Sequence, residues 1–63
     1  MDEQEELLQK VYDSACELLS THASEQDFSQ LFEMSKAKLT RPTLLKELEN
    51  YEKAFYELAD FKH

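Results

Sequence analysis

Apolar residues recur at spacings of three and four along most of the chain, which is the period of an α-helix packed on one side. Leu7, Leu8, Val11, Ala15, Leu18 and Leu19 form one such stripe. They predict a first helix over roughly residues 2–20, with Tyr12 at the edge of the stripe, where its ring packs and its hydroxyl stays wet. Asp2, Glu3, Glu5 and Glu6 crowd its first turns, where the helix dipole favours negative charge. A narrower stripe of Phe28, Leu31, Phe32, Ser35 and Leu39 predicts a second helix over roughly 25–39. Leu44, Leu48, Tyr51, Phe55 and Leu58, widened by Leu45, Tyr56 and Ala59, predict a third over roughly 43–61. Glu6–Lys10 and Glu49–Lys53 stand at i, i+4 in the order that favours surface pairing. Lys62 and His63 place positive charge where the third helix ends.

Two interruptions separate these stripes. Ser20 to Ser24 breaks the first period, and Ser24 followed three residues later by Asp27 reads as a capping box with Asp in place of Glu. The segment Thr40-Arg41-Pro42-Thr43 breaks the second. Proline disfavours helical geometry before it and suits the first helical position, so the third helix starts at Pro42 or takes Thr43 as its cap. Short turns make neighbouring helices antiparallel. The expected fold is all-α, a small antiparallel three-helix bundle in a single domain spanning residues 1–63.

Composition sharpens this picture. There is no glycine and one proline, which removes the usual hairpin turns and argues against a β fold. With 63 residues the core is thin, and domains of this size gain support from a disulfide, a metal or a partner chain. Cys16 is alone, so no internal disulfide forms, and Cys16, His22 and His63 do not supply a zinc set. Idealised packing or self-association as a homodimer remains. The net charge of −7 repels phosphate backbones and argues against direct nucleic-acid binding. No apolar run is long enough for a transmembrane segment, although peripheral membrane contact stays open. The acidic opening Met1-Asp2-Glu3 is unlike a secretory signal, and with one thiol it points to a cytoplasmic protein.

No catalytic arrangement stands out. Cys16 and His22 are separated by a helix end and lack a third group, and the phosphate-binding and metalloprotease motifs are absent. The sequence therefore predicts no enzyme and no cofactor. Candidates for partner contact come from residues that do not fit the stripes. Residues 1–17 hold six acids against Lys10, whereas residues 34–46 hold Lys36, Lys38, Arg41 and Lys46 with no acid. That basic turn either complements the acids of the first helix or forms an electropositive knob for an acidic partner or lipid headgroups. Met34 faces away from its helix's stripe, and Phe61 falls about 140° from Leu48 on a helical wheel, off the buried face. Exposed Met and aromatic residues are enriched at interfaces. Glu52 is the reverse case, since it lies about 40° from Leu48 and needs a partner or a wet groove.

The stretches Glu5-Glu6-Leu7-Leu8-Gln9-Lys10-Val11-Tyr12-Asp13 and Leu31-Phe32-Glu33-Met34-Ser35-Lys36-Ala37-Lys38-Leu39, followed by regularly spaced leucines and aromatics, resemble the pediocin-type bacteriocin immunity proteins. The resemblance is one of helical pattern over most of the chain and includes no unique motif. It implies a cytosolic antiparallel bundle, commonly of four helices, that acts with a bacteriocin's membrane receptor. From the residues themselves the expectation is broader. They suggest a non-catalytic helical protein that inhibits, protects or escorts a macromolecular partner, with an acidic DNA mimic and a small secretion chaperone as alternatives.

Overall fold

The computed structural model describes residues 2–61 and shows three helices, α1 (Glu3–Ser20), α2 (Glu25–Lys38) and α3 (Pro42–Leu58). Every pair of helices is in contact. Gln4 on α1 reaches Lys38 and Thr40 at the far end of α2, and Lys36 on α2 reaches Glu52 on α3. Successive helices therefore run antiparallel, and the expected three-helix bundle is what the chain forms. The radius of gyration is 11.2 Å, against about 10.6 Å for a compact chain of this length.

Each helix start has an identifiable cause. The Asp2 side chain caps α1 by accepting from the Gln4 backbone N–H at 2.9 Å. Ser24 and Asp27 form the expected reciprocal capping box at α2. Pro42 opens α3 at its first position, behind an Arg41 that makes no side-chain cap. The surface pairs Glu6–Lys10 and Glu49–Lys53 are not closed among the described residues. Such pairs gain too little in high dielectric to hold two long side chains in place.

Helix α1 ends at Ser20, as expected, whereas α3 ends earlier than expected. Both close in the same Schellman geometry, in which a left-handed residue turns the chain back over the last turn. At α1 the residue is His22 (φ 58), with His22 N–H donating to the Leu19 carbonyl and Ala23 N–H to the Leu18 carbonyl. At α3 it is Asp60 (φ 62), with Asp60 N–H donating to Glu57 and Phe61 N–H to Tyr56. Helix α3 thus stops at Leu58 rather than near residue 61. Lys62 and His63, expected to complement its end, lie outside the described residues. In this glycine-free chain, His and Asp take a conformation that costs a residue with a Cβ roughly 1–2 kcal/mol. His22→Gly and Asp60→Gly should each raise stability by about 0.5–1 kcal/mol, since relief of strain exceeds the added freedom of the unfolded chain. Thermal melts read this as a rise of several degrees in Tm per variant. A lowered Tm in both would mean the two side chains contribute more than their backbone strain costs.

The core consists of Leu8, Val11 and Ala15 from α1, Phe28, Phe32 and Leu39 from α2 and its cap, and Leu44, Leu48 and Phe55 from α3. Among the described residues the one buried polar side chain, Ser35, donates its hydroxyl to the Leu31 carbonyl at 2.8 Å, which removes the cost of its burial. All seven aromatic residues join one chain of ring contacts in the order Tyr51, Tyr12, Phe55, Phe32, Tyr56, Phe61, Phe28, with centroids 5.2–6.5 Å apart. Most meet edge to face, the arrangement the ring quadrupole favours. Leu58, expected in the stripe, is 67% exposed instead. It sits about 80° from Leu48 on the last turn of α3, beside the point where α1 has already turned away at His22.

Candidate functional site

The residues singled out for contact do not gather into one patch. Lys36 and Lys38 lie on opposite sides of α2, because two residues along a helix rotate about 200°. Lys36 turns toward α3, where its Nζ donates to Glu52 Oε1 at 2.9 Å and stands 3.8 Å from Glu33. This pairing answers the exposed-or-paired question posed by Glu52, whose side chain is 20% exposed. Arg41 pairs through Nη1 with Asp2 Oδ2, so the α1 cap also anchors the α2–α3 connector. Lys46 is exposed on α3 and Lys38 is exposed on the α1 side of α2. The basic turn is therefore divided, with two of its four cations spent on internal carboxylates.

Phe61 is not the free aromatic that the helical wheel implied. The reversal at Asp60 folds it back so that its ring meets Phe28 at 5.4 Å and Tyr56 at 5.7 Å. It is partly buried and closes the lower end of the core.

The Lys36–Glu52 pair has a measurable consequence. The hydrogen bond that Lys36 donates to Glu52 raises the Lys36 pKa above its ordinary 10.5, opposed by partial desolvation and aided by the charges of Glu52, Glu33 and Glu49. A raised cation pKa adds stability that is complete below 10.5 and is lost as pH rises through the raised value. Between pH 8 and pH 11, roughly, wild type should lose about 0.5–1 kcal/mol that Lys36→Met does not. Urea midpoints at both pH values measure the difference, and equal losses would show that the pair is not coupled to folding.

Gln4 was not foreseen. Its Nε2 donates to the Lys38 carbonyl at 3.1 Å, while its Oε1 accepts from the Thr40 backbone N–H at 2.9 Å and from the Thr40 hydroxyl at 3.4 Å. One amide thus satisfies a donor and an acceptor that the end of α2 leaves open. The signal was slight, a single amide within a run of carboxylates.

Met34 does meet the expectation of exposure, at 56%. It lies in an open trough along the outer seam between α1 and α2. Ser14, Leu31 and Met34 line both halves of that trough. Toward the upper end, at the α2–α3 connector, the lining includes Leu7 and carries Lys10 and Lys38 on its rims. Toward the lower end it includes Leu18 and carries Glu17 and Asp27. The larger, lower half has a volume of about 460 Å³. Leu7, Leu18 and Leu31 are only partly buried, because α3 covers the other side of the α1–α2 layer. The seam is thus an apolar strip with a cationic end and an anionic end.

Other chemistry is sparse. Cys16 is exposed on α1 and His22 is exposed in the turn. Among the described residues, no three His, Cys, Asp or Glu side chains are grouped as a metal ion requires. No helix among them is long and apolar enough to cross a membrane. Comparison with protein-family models, with curated proteins and with solved structures finds no match.

Proposed function

We propose that this chain is a non-catalytic, cytoplasmic interaction protein that inhibits, protects or escorts a macromolecular partner, and that it holds the partner along the α1–α2 seam. The observation that carries the reading is the open apolar trough with Met34 at its centre. Methionine adapts its unbranched chain to the shape of an incoming surface. A strip between two adjacent antiparallel helices, lined by Leu and Met and rimmed by charges, is the form in which helical partners are received. The exposed thiol of Cys16 suits a reducing compartment.

A photo-crosslinking residue placed at Met34 should give one discrete adduct in a native lysate, while the same residue at Lys46 should give none. Met34→Asp should abolish partner binding with unchanged helical content, because a carboxylate in the trough must be desolvated without a partner. Equal crosslinking at both sites, or binding that survives Met34→Asp, would move the contact surface elsewhere.

A further inference from the structure

We propose that the seam is covered by a second copy of this chain, related by a two-fold axis that runs across the helices rather than along them. This rests on the reading of the seam as an interface and adds what occupies it. A face that binds its own copy must complement itself. Two orientations of a two-fold axis lying in the plane of the seam would stack the α1–α2 layer on its copy.

An axis parallel to the helices lays α1 on the second copy's α2, with upper end against upper end. Lys10 then meets Lys38, and Glu17 meets Asp27, so like charges face each other at both ends of the trough. An axis perpendicular to the helices lays α1 on α1 and α2 on α2, each antiparallel. Lys10 then faces the second copy's Glu17, and Lys38 faces its Asp27. The charges on the rims select the second arrangement and oppose the first.

The register agrees. The midpoint between Lys10 and Glu17 falls beside Ser14, and the midpoint between Asp27 and Lys38 falls between Leu31 and Met34. Ser14, Leu31 and Met34 line the middle of the same trough, so both midpoints lie at one level and one axis serves both pairs. At that axis Leu31 faces the second copy's Met34 twice over, while the small Ser14 lets the two α1 helices approach. Lys10, Glu17 and Lys38 form no internal ion pair among the described residues and are available for this contact. A 63-residue bundle also gains more than a larger domain from pooling two thin cores.

Sedimentation velocity on the full chain, from about 10 µM to about 1 mM, tests this. The expected mass rises with concentration from 7.5 kDa toward twice that value. Lys10→Glu and Glu17→Lys should each weaken association by about tenfold or more, and the double swap should restore it. Circular dichroism should be unchanged throughout, since both side chains are exposed. Stronger association in Lys10→Glu would overturn the proposal, because it is the result expected of the parallel axis. A wild-type chain that stays monomeric across the range would also overturn it. The two readings fail separately. A monomer that still crosslinks through Met34 to a different protein loses only the second copy, whereas a monomer with no Met34 adduct loses the interface as well.

Discussion

Phe32→Ala is expected to leave the chain without a cooperative unfolding transition at 25 °C. Phe32 is fully buried at the middle of α2. It is also the central link of the aromatic series, meeting Phe55 at 6.5 Å on one side and Tyr56 at 6.3 Å on the other. Truncating a buried Phe costs about 3–5 kcal/mol, combining lost transfer energy with the cavity left behind. A domain of 63 residues has a total stability of only about 3–9 kcal/mol at the usual value per residue. The cost is therefore a large part of the whole, or all of it. The near-ultraviolet spectrum, which reports the packed tyrosines, should collapse while part of the helical signal persists. Phe32→Leu, which keeps most of the volume, should retain a cooperative melt. A melt in Phe32→Ala displaced by less than about 5 °C would mean a loss of only about 1 kcal/mol, and that the bundle closes over the gap.

The aromatic series also shows what could and could not be read along the chain. Phe28, Phe32 and Phe55 sit at helical spacing on their stripes, so their burial followed from period alone. Phe61 followed the opposite course. Its wheel angle assumed that α3 continues to residue 61, and the angle lost meaning once Asp60 reversed the chain. Glycine is the usual mark of such a reversal. Here Asp60 and His22 take its place, and neither residue type announces a left-handed turn by itself. The basic turn was legible in part, since Arg41 does complement an acid of the first helix at Asp2, but its four cations do not share one face. Lys36, Lys38 and Arg41 are close in sequence, but α2 points the first two to opposite sides, and the fold brings the third to Asp2. Linear charge density is therefore a poor guide to surface charge on a helix. The seam was half legible. Met34 stood out as a misfit, whereas Leu7, Leu18 and Leu31 looked like ordinary members of core stripes. Their partial exposure follows from three rods meeting around one axis, where α3 can cover only one flank of the α1–α2 layer.

Ala15→Leu separates packing from hydrophobicity, and it should destabilise the bundle by about 1–3 kcal/mol. Leucine is more apolar than alanine and nearly as good a helix former, so transfer energy and propensity together favour the change. Geometry opposes it. Ala15 has no exposed surface and lies at the centre of the α1 stripe, between Val11 and Leu19. A larger side chain there has no solvent to enter and must force α1 outward or adopt a strained rotamer. Ala15→Ser is the control, because its hydroxyl can donate to the Val11 carbonyl and its volume is nearly unchanged. It should cost less than the leucine. Urea midpoints with a constant m-value give the ordering of wild type, serine and leucine. The effect also reaches the seam, since α1 forms one wall of the trough around Ser14. Displacing α1 should therefore weaken contacts made through Met34 even though Ala15 touches no partner. A leucine variant as stable as wild type would show slack between the helices. In that case the trough would be a flexible surface and would lack the fixed register that the pairing of Lys10 with a second Glu17 requires.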